Sequence, residues 1–238
     1  MKHLIFLIAL CCWSVQSIAQ NINLNISPVF GSEPITEGKW FVTANGDSLQ
    51  FDNLRFYLSA IQFDLDNGQT ITDVAPAHLI DVFEPSTLTI ALKNSTNTQV
   101  KKLRFNIGID STTSVSGALG GDLDPTKGMY WAWQSGYINM KIEGRSPASQ
   151  TRKNVFQFHL GGYMQPFYAM RRVELVLKQP VVFARNEATE GVVLKIDVSK
   201  FFKDVHLATQ NSIMMPSKEA MLLADLSVQM FSIHAQEK

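Results

Sequence analysis

The chain has 238 residues, 45% of them apolar, and 21 basic residues against 21 acidic, with neither sign gathered into a long block. A balanced, scattered charge excludes nucleic acid and anionic membrane surfaces as expected partners. The absence of a GxSxG elbow, a P-loop, a GxGxxG turn or an HExxH pair excludes the common motif-bearing enzymes, so the chain is read as a non-enzyme.

At the N-terminus, Lys2 precedes an apolar run from Leu4 to Trp13 and a small-x-small ending, Ser17-Ile18-Ala19. That order predicts a secretory signal peptide over residues 1–19, cut before Gln20. A transmembrane helix needs about 20 consecutive apolar residues, and Ser14, Gln16 and Ser17 interrupt this run early, so no transmembrane segment is expected. The protein is expected in the periplasm or at the cell surface. Cys11 and Cys12 leave with the leader, and the bulky Leu10 before Cys11 argues against lipid attachment. The mature chain then has no thiol and no disulfide in an oxidising compartment. Residues 20–238 are long enough to bury a core of their own and are read as one domain.

Alternating or apolar stretches rich in β-branched and aromatic residues follow at Ile22–Val29, Ser48–Phe56, Leu88–Leu92, Val100–Ile109, Tyr137–Glu143, Val155–Leu160, Val173–Leu177 and Val192–Val198. Turn signals separate them at Asn45-Gly46-Asp47, Asn67-Gly68, Gly120-Gly121-Asp122 and Lys178-Gln179-Pro180. Helical pattern is scarce: Tyr57–Ile61 and Ser199–Phe202 read as single turns, and Ser217–Leu226 as a short helix entered through Pro216. The expected fold is all-β, a β-sandwich with long loops and at most short helices. Asp110–Met129 is the longest irregular stretch, and loops of that length are usually functional or mobile.

That stretch leads into Gly128-Met129-Tyr130-Trp131-Ala132-Trp133-Gln134-Ser135-Gly136-Tyr137, which holds two of the four tryptophans. On a strand, Trp131 and Trp133 would share a face and either line a pocket or form a core stripe. No histidine pair has helical metal-site spacing, so any metal site must be assembled from residues distant in sequence. His159 lies on a predicted strand, facing opposite to Phe158, and the following Gly161-Gly162 permits a close backbone approach. Met214 and Met215 are candidate thioether donors, because soft sulfur suits Cu(I) and imidazole suits copper in either oxidation state. Each of these side chains, taken alone, has an ordinary structural role as its alternative. Asp122-Leu123-Asp124-Pro125 resembles a fragment of a calcium loop but lacks the further oxygen ligands, and a turn is the preferred reading over a calcium site.

Several segments together resemble the MbnP-like copper-binding family. They are Pro28-Val29-Phe30-Gly31, Leu54-Arg55-Phe56-Tyr57-Leu58-Ser59, Phe105-Asn106-Ile107-Gly108-Ile109-Asp110, Leu123-Asp124-Pro125 through to Tyr137, Glu143-Gly144, and Phe158-His159-Leu160-Gly161-Gly162. The resemblance spans nearly the whole mature chain, and Met214–Phe231 is similar to the family's C-terminal segment. It implies a β-rich periplasmic protein working beside a dihaem enzyme of the MauG and cytochrome c peroxidase type, which oxidises a tryptophan of the copper protein to kynurenine. Opening the indole leaves an aromatic amine and a ketone, so an N–H donor gains potential as a metal ligand. A related group of copper-repressible surface proteins looks similar in holding Cu(I) with kynurenine and two histidines. There a histidine stands two positions after the modified tryptophan; here Trp133 takes that place if Trp131 is the modified residue. The resemblance thus leaves either tryptophan as the target, His159 as the first ligand candidate and His206 as the second.

The expectation is an exported copper-binding protein for uptake, storage or handling, with His159, His206, Met214 and Met215 as metal candidates and Trp131, Trp133 and Tyr137 lining the site or modified. Ligation needs a neutral imidazole, so acid should weaken it. The rival expectation is a β-sandwich binding module that offers Trp131, Trp133 and Tyr137 as an aromatic platform for a glycan or protein partner. Open ring faces would favour the platform, whereas converging His and Met side chains would favour copper.

Overall fold

Along the first strand, β1 (Gln20–Phe30), Ile22, Leu24 and Ile26 are buried while Asn23 and Asn25 between them are only partly so. That is the period-2 pattern of a strand with one face on a core. The structure is a computed structural model that describes residues 20–94, 98–133, 136–183 and 191–235. The leader expected over residues 1–19, with Cys11 and Cys12, lies outside the described residues. The longer strands after β1 are β2 (Ser48–Leu65), β3 (Thr89–Asn94), β4 (Thr98–Ile107), β5 (Gly136–Arg145), β6 (Val155–Gly161), β7 (Arg171–Phe183), β8 (Gly191–Asp197) and β9 (Phe231–Ala235). Among the described residues two α-helices accompany them, α1 (Ser111–Val115) between β4 and β5 and α2 (Lys218–Val228) before β9.

The smaller sheet runs β9-β8-β1, with β3 and the short strand Glu33–Pro34 on the other side of β1. β1 and β8 are parallel, in register from Asn23↔Gly191 to Val29↔Asp197. The larger sheet runs β7-β4-β2-β5-β6 and ends on the short strand Ser212–Ile213, which pairs in parallel with Gln157 and Phe158 of β6. Short strands Trp40–Val42, Thr70–Thr72 and His78–Asp81 pair along β2, and Tyr130–Trp131 pairs with the start of β5.

The two sheets close on one core, giving the all-β, sandwich-like fold. Ile22, Leu24 and Ile26 of β1 and Val192, Leu194 and Ile196 of β8 join Phe51 and Phe56 of β2, Phe105 of β4, and Phe156 and Phe158 of β6. Phe51, Phe156, Phe158 and Phe202 form a connected ring cluster with centroids 5.6 to 6.4 Å apart. The contacts are tilted or edge-on except the stacked Phe156–Phe158 pair, and aromatic pairs of this kind each contribute about 0.5–1.5 kcal/mol beyond the area they bury.

Three local expectations change. Tyr57–Ile61 is not a turn: β2 runs through it, with Ala60 at φ 50° in a bulge where the register with β4 shifts between Ser59 and Gln62. The alternation that marks a strand is lost there because Phe56, Tyr57, Leu58 and Ser59 are all buried, the sheet being covered on both faces. Lys178-Gln179-Pro180 does not reverse the chain, but is the irregular middle of β7, between Val176 and Val181. Asp110–Met129 contains α1 and two 3-10 turns, Gly121–Leu123 and Pro125–Lys127. Its Leu123 and Met129 pack with Tyr57, Leu79, Ile109, Trp131, Tyr137 and Ile138 into a second apolar cluster, separate from the main core. Ser199–Phe202 lies in a 3-10 turn, Val198–Lys203, and α2 starts where its N-cap Ser217 accepts a hydrogen bond from the Ala220 N–H at 3.1 Å.

Candidate functional site

The site grows out of the exposed-side face of β5 and β6. Lys141 pairs with His159 and Glu143 with Gln157 across the two strands, so these four residues share a face while Phe156 and Phe158 fill the core. Diagonal neighbours in an antiparallel pair are within reach of long side chains. Glu143 Oε1 lies 2.7 Å from His159 Nε2, and Gln157 Nε2 donates to the same oxygen at 3.3 Å. The His159 hydrogen bond, aided by the charge of Lys141, holds the Glu143 carboxyl below the usual carboxylate range despite partial burial. An ionised Glu143 can only accept, so Nε2 carries the proton and Nδ1 is the ring atom left to ligate. Metal-binding histidines are commonly fixed by a carboxylate in this way.

Two positions along β6 from His159, Gly161 provides a seat for Trp131: a Cβ at Gly161 would stand 2.6 Å from Trp131 Cζ3. Gly161-Gly162 does mark a close approach, and the approaching group is an indole. Trp131 is only 6% exposed, held from beneath by the second cluster. The strand it belongs to ends at Trp131, so Trp133 does not share a strand face with it as expected. The chain turns instead, and the rings still meet, with centroids 5.7 Å apart and planes inclined at 44°. Trp133 is 62% exposed.

The facing wall comes from the sheet edge. Pairing of Ser212–Ile213 with β6 delivers Met214 and Met215 past the strand that carries His159, just before Pro216 and the N-cap of α2. The result is a groove of about 810 Å³ lined by Trp131, Trp133, His159, Met214 and Met215, with Tyr130, Ile138, Lys141, Ser212, Ser217 and Glu219 among the rest. One imidazole and two thioether side chains thus line the same groove, donor types of the kind that suit Cu(I). No group of three His, Cys, Asp or Glu side chains gathers among the described residues, so the groove offers no carboxylate-rich cage.

Two of the sequence candidates stand elsewhere. Tyr137 is 2% exposed and lies beneath the groove in the second cluster, its hydroxyl 3.0 Å from the Leu123 carbonyl and 3.1 Å from the Leu119 N–H. His206 is exposed on the loop after the 3-10 turn, where its carbonyl caps Thr209 and Gln210, and it does not line the groove. Of the three rings expected as a platform, only Trp133 presents an open face. The carboxylates of the calcium-like segment are engaged locally: Asp122 accepts from Lys127 Nζ at 2.7 Å and the Leu79 N–H at 3.1 Å, and Asp124 caps Thr126. Glu143 is the residue that sequence reasoning missed as part of the site. The period-2 pattern from Lys141 and from His159 was the signal that could have placed it.

Comparisons with known proteins bear on the fold and the family. The structure superimposes on that of MbnP from Methylosinus trichosporium with a TM-score of 0.59 at 14% sequence identity, covering 92% of this chain and 99% of that one. Likeness at that identity establishes the fold. No curated protein matches the chain. The family model that matches is MbnP, over residues 19–215, which takes in every lining residue of the groove named above except Ser217 and Glu219. A match over most of the chain shows that the protein belongs to the MbnP family.

Proposed function

We propose that the protein is an exported copper-binding protein of the bacterial envelope, acting in copper uptake, storage or handling by binding rather than catalysis. The observation that carries this reading is that His159, oriented by Glu143, shares one groove with Met214 and Met215 beside the Trp131–Trp133 pair. His159 supplies the anchoring nitrogen, the methionines supply sulfur that favours the cuprous state, and Trp131 closes the inner wall. Family membership supports conversion of a groove tryptophan to kynurenine by a dihaem partner. Of the two rings, Trp133 is the more open to such a partner.

The test is Cu(I) titration of the mature chain against a competing chelator, together with intact-mass and peptide mapping of protein from its native envelope. The expected result is one copper per chain, lost in His159→Ala and weakened in the Met214→Leu/Met215→Leu double variant. Copper binding that survives His159→Ala removes His159 and this groove as the site, whereas no binding at all removes the copper reading and returns the groove to the aromatic-platform alternative. A tryptophan-to-kynurenine mass change in the Trp131–Trp133 peptide decides the modification separately.

A further inference from the structure

A second groove, of about 560 Å³, shares no lining residue with the first. Its floor is the ring pair Phe30 and Phe41, centroids 5.0 Å apart, where β1 meets the short strand Trp40–Val42. On that strand Phe41 points inward at 5% exposed, so Trp40 and Val42 both project outward, at 50% and 65% exposed. Two large apolar side chains thus stand open at the rim of a concave site floored by the edge of the main core, a surface that can receive an apolar face.

The opposite wall is the 3-10 turn Val198–Lys203, which presents Lys200 and Lys203 to the groove. A 3-10 helix repeats every three residues, so positions three apart lie one above the other on the same face. Both lysines therefore leave the turn on one face and bring like charge to the groove. Neither has a carboxylate partner among the described residues: Asp197 at the head of the turn accepts from the Gly31 and Ser199 N–H groups and the Ser199 hydroxyl, and Glu33 pairs with Lys39 at 2.6 Å. Repulsion between them is relieved by an anion.

We propose that this groove is a binding site for an acidic saccharide. The C–H face of a sugar ring stacks on Trp40 and Val42, its carboxylate or sulfate lies between Lys200 and Lys203, and its hydroxyls reach the Ser32 and Glu33 rim. A concave site of this volume fits a small ligand. A bilayer would need the same residues on a convex surface, and a purely aromatic acid would leave the polar rim unused.

The experiment is calorimetry of the mature chain with oligogalacturonate and a heparin oligosaccharide, with the methyl ester of the oligogalacturonate as its uncharged counterpart. The expected result is binding of an acidic form, weakened by salt, absent in the ester, and reduced about tenfold or more by Lys200→Ala/Lys203→Ala and by Trp40→Ala, each removing an interaction of roughly that worth. His159→Ala leaves it unchanged. All three replaced side chains are exposed, and a thermal melt of each variant checks that folding is intact. The proposal is overturned if neither acidic saccharide binds, if the ester binds as well as the acid, or if the lysine variant binds normally. It is also overturned if the lysines matter only for vesicles of phosphatidylcholine and phosphatidylglycerol, which would make this face a membrane contact.

Discussion

The two apolar clusters among the described residues are built on different principles. The core between the sheets is made of aliphatic side chains and interlocking phenylalanines, and its stability comes from burial and packing. The cluster outside the larger sheet is small and pinned by polar bonds: Tyr57 Oη to the Asp122 carbonyl at 3.1 Å, Tyr137 Oη to the Leu123 carbonyl at 3.0 Å, Arg55 to the Lys127 carbonyl at 3.2 Å and Lys141 to the Gly128 carbonyl at 3.1 Å. The candidate groove rests on the second cluster through Trp131 and on the sheet through His159. Whole-molecule stability and the geometry of the groove should therefore respond to different substitutions.

The largest expected effect falls on the core. Phe156 is fully buried and meets the rings of Phe51, Phe158 and Phe202. Phe156→Ala should cost about 3–5 kcal/mol, measured as a lower urea midpoint, while Cu(I) affinity of the fraction still folded stays as in the wild type. A Gly161→Val substitution inverts that pattern. Its added atoms would meet Trp131 Cζ3 at 2.6 Å and the Tyr137 carbonyl oxygen at 2.9 Å, so the indole must leave its seat. Overpacking of this kind costs about 1–3 kcal/mol, and tryptophan fluorescence and Cu(I) affinity should change out of proportion to the loss of stability. If both variants move stability and groove together, the two clusters form one cooperative unit and the separation is wrong.

The same contrast governs what could be read from the sequence. The core strands were legible because one-sided burial imposes alternation, as Ile22, Leu24 and Ile26 show. Tyr57–Ile61 was misread because its strand is buried on both faces, the inner by the core and the outer by a segment whose folding the sequence does not announce. Trp131, Trp133 and His159 stood out as scarce residues in unusual settings, but their meeting with Met214 and Met215 depends on one short parallel pairing at the sheet edge. Parallel pairings between distant segments leave no local pattern. Tyr137 carried the same signal as the two tryptophans, yet its strand position turns it into the cluster, where its hydroxyl finds backbone partners.

Acid should separate the two clusters at the smallest energetic cost. Partial burial raises the Asp122 carboxyl, but the Lys127 and Leu79 hydrogen bonds outweigh it and hold the group below its ordinary value. Asp110 behaves alike, its burial outweighed by the Thr113 backbone and hydroxyl bonds at the head of α1. A carboxyl whose folded-state pKa is depressed stabilises fully above its unfolded value, near about 3.9 for aspartate, and loses that contribution as pH falls through the folded value. The segment from Asp110 to Trp131 should thus loosen below about pH 4, while the main core, which has no titratable group in its cluster, holds. Hydrogen exchange between pH 3 and 6 should show the amides of Leu79 and of the Gly121–Lys127 turns opening before those of β1 and β8. Asp122→Ala leaves the buried Leu79 N–H without its acceptor and should cost about 1–2 kcal/mol. Asp122→Asn keeps that bond, loses the exposed Lys127 pair and should cost under about 1 kcal/mol, removing Asp122's share of the acid response. If Asp122→Asn opens the segment as far as Asp122→Ala does, charge rather than the backbone bond pins it, and the cluster is held by its ion pair.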